Sequence, residues 1–198
     1  FNLITKVIEE KTPYHAYEDI KFVLDSMHHR HYRLNKNNKL CFRLTNYFKA
    51  EKILEIGSGY GVNTLCLTAS SATTECICVE VSEEKSSEAK LLYEKWNRKI
   101  TLYTDDIELP SLFEKQDCIY INLSNYNFLP SELNQYLQSL SYEKTFIIVE
   151  GIRTNKQSQM LWRSIMNMES RTVTLDLFNM GILFFDTKLY RWNYKISF

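Results

Sequence analysis

Ile53-Leu54-Glu55-Ile56-Gly57-Ser58-Gly59-Tyr60-Gly61-Val62-Asn63-Thr64-Leu65 runs from an apolar strand pattern, through three glycines, into a helical pattern. Lacking Cβ atoms, such glycines let the backbone turn tightly and approach a ligand with no side chain intervening. At the start of the helix that follows, unpaired N–H groups and the positive end of the peptide dipoles offer donors to an electron-rich group. The chain has only 5 glycines in 198 residues, against a usual share of about 7%. Three of them in a single turn is therefore a concentrated signal.

Outward from this turn, short runs rich in Ile, Val, Leu and aromatics recur at 52–56, 75–81, 100–104, 117–123 and 145–150. Four are almost continuously apolar, as strands buried on both faces of a parallel sheet are. The run 100–104 alternates and is expected nearer an edge. Between them, 62–69, 83–96, 131–140 and 157–168 carry a helical period, with Ala89, Leu92, Tyr93 and Trp96 on one side of the second. Strands alternating with helices predict an α/β, Rossmann-like fold, a doubly wound and mostly parallel sheet.

The rhythm breaks near the end. Residues 173–178, a turn at Asn179-Met180-Gly181, then 182–185 and 190–198 have no helix between them. A C-terminal antiparallel hairpin and a seven-stranded sheet follow, with 190–198 available as a further strand. Residues 1–50 carry helical stripes: Leu3, Ile4, Val7 and Ile8; Ile20, Val23, Leu24 and Met27; Leu40, Cys41, Leu44, Tyr47 and Phe48. The expected division is a helical N-terminal cap over 1–50 and a Rossmann-like domain over 51–198, one structural domain overall.

The glycine spacing narrows the ligand. The dinucleotide fingerprint is G-x-G-x-x-G, whereas this turn reads G-x-G-x-G, with Val62 where the third glycine would fall. An NAD-linked chemistry loses ground on that spacing. Glu55 stands two residues before the first glycine and suits a ligand carrying positive charge. Glu80, followed by Val81, closes the second strand where doubly wound folds place a carboxylate for ribose hydroxyls, and a carboxylate accepts well from a vicinal diol. Asp105, just past the third run in Thr104-Asp105-Asp106, is a third acidic group on the same edge.

Together these residues resemble the class I S-adenosylmethionine-dependent methyltransferases, whose first motif is an acidic residue, any residue, then G-x-G-x-G. Glu55-Ile56-Gly57-Ser58-Gly59-Tyr60-Gly61 matches it in full. The resemblance extends from about residue 36 to the C-terminus and includes Glu80, Asp105, the strand Asp117-Cys118-Ile119-Tyr120-Ile121-Asn122 and the terminal hairpin. Leu175-Asp176-Leu177-Phe178 leading into Gly181-Ile182-Leu183-Phe184-Phe185 is similar to the small-molecule O-methyltransferase-like branch. What the resemblance implies is S-adenosyl-L-methionine as cofactor. Gly57, Ser58, Gly59, Tyr60 and Gly61 would line its methionine portion, Glu55 would stand near its ammonium, Glu80 with Val81 would hold the ribose and Asp105 the adenine. Asn122 would lie closest to the transferred methyl, and Asn122 and Glu150 are the candidate catalytic residues.

Metal-dependent members of that branch carry an aspartate at the end of strand four and an acidic-Asn pair after strand five. Here those places read Asn122 and Glu150-Gly151, thin for a divalent ion that prefers several hard oxygens, so no metal is expected. Leu123-Ser124-Asn125-Tyr126 replaces the Asp-Gly-x-His stretch of related metal-free sequences, and the histidine base goes with it. An N/D-P-P-Y/F motif is absent too. Tyr126, Phe128 and Arg153 follow strands four and five and are candidates for an acceptor pocket, while Trp162, at helical spacing with Ile165 and Met166, reads as core. His28, His29 and His31 with Arg30 and Arg33 form a basic spot that reads first as a solvated helix end.

Composition bounds the function. With 44% apolar and 24% charged residues the chain is a packed domain. Basic and acidic residues number 24 each, for a formal net charge of zero, without the broad basic field of a nucleic-acid binder. Five cysteines, Cys41, Cys66, Cys76, Cys78 and Cys118, are odd in number, form no C-x-x-C pair and sit in apolar stretches, as reduced thiols of a cytoplasmic protein do. Cys76 and Cys78, two apart on a strand, share a face as packing. No run approaches the roughly 20 apolar residues of a membrane span, and no signal segment opens the chain. The expectation is a cytoplasmic methyltransferase acting on a small molecule by direct displacement, without nucleic-acid or membrane partners. The alternative is a catalytically degenerate nucleoside-binding module on the same fold.

Overall fold

The computed structural model describes residues 2–104, 109–125 and 129–198. The chain divides into two compact units, 1–109 and 110–198. Among the described residues no helix is long and apolar enough to cross a membrane.

The first unit opens with helices α1 (Asn2–Glu9), α2 (His15–Asp25) and α3 (Lys36–Phe48). Asn35 and Asn38 start α3 with a reciprocal cap: each side-chain oxygen accepts from the other's backbone N–H, at 3.0 and 3.1 Å. Buried Arg43 on α3 donates Nε to the Val7 carbonyl at 2.8 Å and Nη2 to the Ile8 carbonyl at 2.9 Å. It thereby satisfies carbonyls at the end of α1 that have no partner within that helix.

Next come β1 (Lys52–Ile56), α4 (Val62–Thr68), β2 (Glu75–Val79), α5 (Glu83–Tyr93) and β3 (Lys99–Tyr103). The strands pair in parallel in the order β3-β2-β1, with Ile56 beside Val79 and Val79 beside Tyr103. β1 is buried beyond Lys52, and β3 alternates between exposed and half-buried positions, as its outer place predicts. β2 ends at Val79, two residues before the apolar run does, because the Glu80 carboxylate accepts from the Ser82 N–H at 2.9 Å and turns the chain toward α5. Ser82 then caps α5 by accepting from Lys85 N, and Glu83 and Glu84 in the first turn suit the positive end of the helix. Tyr17, Ile20, Leu24, Tyr32, Phe42 and Leu65 pack the cap helices against α4.

The second unit holds β4 (Cys118–Asn122), a 3₁₀ turn (Leu123–Asn125), α6 (Pro130–Leu140), β5 (Phe146–Glu150), α7 (Lys156–Met166), β6 (Val173–Asp176), β7 (Met180–Phe184) and β8 (Trp192–Lys195). Its strand order is β4-β5-β7-β6-β8. β4 and β5 run parallel, and β7 lies antiparallel to both β5 and β6. The last run is an additional strand: β8 pairs with β6 in parallel, which takes the described strands to eight rather than seven.

The hairpin turn is displaced from its expected place. It spans Leu177, Phe178 and Asn179, with Leu177 N donating to Met180 O at 2.8 Å, and Phe178 carries the left-handed φ of 73°. Met180 and Gly181 are buried strand residues opposite Glu150 and Val149. Gly181 is there for lack of a side chain: a Cβ would overlap the Trp162 indole, which is buried on α7. Gly181→Ala should therefore cost about 2 kcal/mol through overpacking, read as a lowered urea midpoint. An unchanged midpoint would show that the indole yields freely.

Candidate functional site

In the first unit the glycine turn hangs from the end of β2. Gly57 N donates to Val79 O at 2.8 Å and Ser58 N to the same carbonyl at 3.2 Å, while Gly61 N closes onto Ser58 O at 3.0 Å. Gly59 N donates to Glu80 Oε2 at 2.7 Å. With the Ser82 contact, both oxygens of the buried Glu80 hold backbone, and each oxygen keeps further acceptor capacity. Glu80 thus clasps the turn.

Two glycines of the turn serve opposite ends. At Gly61 (φ 86°) a Cβ would meet the Tyr93 ring at 2.7 Å, so α5 packs directly on the backbone. At Gly59 (φ 59°) a Cβ would meet nothing within 4 Å. The main chain of Gly59 therefore faces open space, as a backbone cradle for a ligand requires.

Glu55 lies beneath the turn, fully buried. Oε1 accepts from Asn63 Nδ2 at 3.0 Å and Oε2 from the Thr64 hydroxyl at 2.5 Å. The network extends outward on both sides. Asn38 Nδ2 donates to Asn63 Oδ1 at 3.2 Å. The Thr64 and Tyr93 hydroxyls lie 2.8 Å apart, and either can donate to the other. Burial pushes the Glu55 carboxyl up to about 7, against the lowering by the hydrogen bonds from Thr64, Asn63 and Cys78. Burial likewise raises the Tyr93 hydroxyl and the Cys66 thiol. Both Glu55 oxygens are engaged inside the chain, so this carboxylate braces the strand end against the first turn of α4.

The Cys76 and Cys78 thiols lie 3.6 Å apart, and Cys78 Sγ is 3.6 Å from Glu55 Oε2. Among the described residues these three form a metal-ligand grouping. All are buried, and Asn63 and Thr64 already occupy the carboxylate. All five cysteines are buried thiols outside any disulfide.

In the second unit, Asn122 and Glu150 are register partners at the carboxyl ends of β4 and β5. Asn122 Oδ1 accepts from Ser124 N at 3.0 Å, and Glu150 accepts from the Tyr120 hydroxyl. Arg153 makes a two-pronged pair with Asp176, at 2.8 and 2.6 Å, and also donates to Phe178 O. Its charge is thereby matched within the chain, and the Asp176 carboxyl is lowered: hydrogen bonds from Arg153 and Phe178 N outweigh the upward push of burial. Trp162 lies in the core under Gly181 rather than in a pocket. Asp105, Asp106, Tyr126 and Phe128 lie outside the described residues.

Thr64 and Tyr93 escaped sequence reading. Tyr93 reads as one more apolar position on its helix, and a threonine inside the apolar run 62–69 is the one available hint of a buried acceptor below.

No protein-family model and no curated protein matches the chain. Solved structures do. An O-methyltransferase of Bacillus cereus in complex with S-adenosylhomocysteine is similar at a TM-score of 0.63 and 18% identity, over 92% of this chain and 97% of that one. A methyltransferase of Podospora anserina with S-adenosylhomocysteine bound gives 0.65 and 13%, over 93% and 94%. The O-methyltransferase TomG of Streptomyces achromogenes, involved in tomaymycin synthesis and solved with S-adenosylmethionine, gives 0.58 and 15%, over 88% and 91%. At these identities the likeness shows the fold, which is α/β and Rossmann-like.

Proposed function

We propose that this chain is an S-adenosylmethionine-dependent methyltransferase that acts on a small-molecule acceptor by direct displacement, without a metal. The observation that carries the proposal is the glycine turn itself, open over Gly59 and clasped by Glu80. The cofactors named for the similar structures support it. The turn fits such a ligand. Gly57, Ser58, Gly59, Tyr60 and Gly61 would line the amino-acid portion, Glu80 and Val81 the ribose, and Asp105 the base. Glu55 serves from beneath, fixing the turn through Asn63 and Thr64.

The bound cofactor supplies a methyl group made electrophilic by its sulfonium. The chain's task is then to align the acceptor and exclude water, and well-held geometry alone supplies about 7–11 kcal/mol of such a barrier. The proposal assigns Asn122 to orientation on the acceptor side and Glu150, held by the Tyr120 hydroxyl, to receive the acceptor's proton. Labelled-methyl transfer to a panel of hydroxyl, amine and thiol acceptors, with and without chelator, tests it. Turnover that persists in chelator is expected, and turnover that chelator abolishes would overturn the metal-free reading.

A second reading is a nucleoside-binding module without turnover. Its support is that both acceptor-side candidates already bond within the chain, Asn122 to Ser124 and Glu150 to Tyr120. Cofactor binding with no transfer to any acceptor would favour it.

A further inference from the structure

The basic stretch His28-His29-Arg30-His31-Tyr32-Arg33 has no part in the proposed chemistry, yet within the first unit it lies against the glycine turn. The His31 imidazole stacks on the Tyr60 ring, centroids 4.3 Å apart and planes within 7°. His29 stacks on His31 in turn, at 4.6 Å and 24°. The stack is tied to α5 at two points. The Tyr60 hydroxyl donates to Glu84 Oε1 at 3.2 Å, and the buried Tyr32 donates to Glu88 Oε2 at 3.0 Å. His28, at φ 51°, makes the reversal that brings the stretch round.

We propose that His31 is a positioning residue for the cofactor turn: its ring holds Tyr60, and through Tyr60 the main chain of residues 59–61, in the ligand-binding conformation. This rests on the turn being the cofactor site. The physical reason is the turn's own composition. Gly59 and Gly61 both sit at positive φ, and glycine loses more conformational freedom on ordering than any other residue. Tyr60 is the one large side chain between them, hence the handle by which the rest of the unit can restrain that segment. A restraint set before binding lowers the ordering cost at binding. Neither ring is fully buried, so the contact is not a core contact whose loss would open a cavity.

Calorimetric titration of S-adenosylhomocysteine into wild type, His31→Ala, His31→Phe, Tyr60→Ala and the double alanine variant tests this, with thermal melts alongside. His31→Ala should weaken binding about three- to tenfold, the scale of one aromatic stack, at an almost unchanged melting temperature. His31→Phe keeps a flat ring and should restore affinity to within about twofold. The double variant should bind no more weakly than Tyr60→Ala alone, since His31 acts through that ring. Wild-type affinity in His31→Ala, an equal loss in His31→Phe, or additive losses in the double variant would overturn the role of His31. Silence from the wild type would overturn the cofactor reading together with it.

Discussion

Gly59→Arg should abolish binding of S-adenosylhomocysteine while leaving the fold in place. A Cβ at position 59 meets nothing within 4 Å, so the substituted side chain leaves the turn without a clash at its first atom. The same side chain would stand where the turn faces its ligand. A left-handed φ of 59° costs a non-glycine residue roughly 1–2 kcal/mol, within reach of a domain of ordinary stability. A loss of at least about 100-fold is expected, which is roughly 3 kcal/mol of binding, with a cooperative melt retained. Gly61→Ala makes the contrast: its Cβ would meet the Tyr93 ring at 2.7 Å, so the damage there should appear in stability. An arginine variant that binds as wild type does would remove the turn as the cofactor surface.

The second large effect is one of pH. Glu55 ordinarily titrates near 4.5 and is pushed up to about 7 in the fold. The folded state therefore holds this proton more tightly than the unfolded chain. The stabilisation is complete below about 4.5 and is lost as pH rises through about 7, roughly 3 kcal/mol across that window. Glu55→Gln cannot titrate, so the wild-type decline between those pH values should be missing from its urea-unfolding curve. Like the protonated carboxyl that predominates below about 7, a glutamine side chain presents one acceptor and one donor group, so its oxygen can accept from Asn63 and its NH2 can donate to Thr64 Oγ1. The comparison to make is of slopes: parallel pH dependences in the two proteins would show that Glu55 does not carry the linkage.

Much of the fold could be read from pattern because its determinants are local. β1 begins and ends at the bounds of its apolar run, and the turn stands out because the chain is otherwise poor in glycine. Departures occur where a distant residue decides. Asn179-Met180-Gly181 has the composition of a turn, but Trp162 on α7 needs position 181 empty of side chain, so Gly181 enters the strand and the turn moves to Phe178. The parallel pairing of β8 with β6 involves segments separated by a whole strand, which no local periodicity records.

The site divides in the same way. Glu80 was visible as a carboxylate closing a strand. Its grip on Gly59 was not, because the strand register brings together residues 21 positions apart. Glu55 stands out in the sequence as an acidic group before the glycines, whereas its enclosure by Asn63, Thr64 and Tyr93 depends on how α4 and α5 pack. On the acceptor side, Asn122 and Glu150 become neighbours through the pairing of β4 with β5.

The central claim is that the turn at 57–61 holds S-adenosylmethionine, and the direct measurement is calorimetric titration of the wild-type protein with S-adenosylhomocysteine. Saturable heat with one site per chain and a Kd in the micromolar range, about −8 kcal/mol, is the predicted result. No heat at millimolar ligand would contradict it.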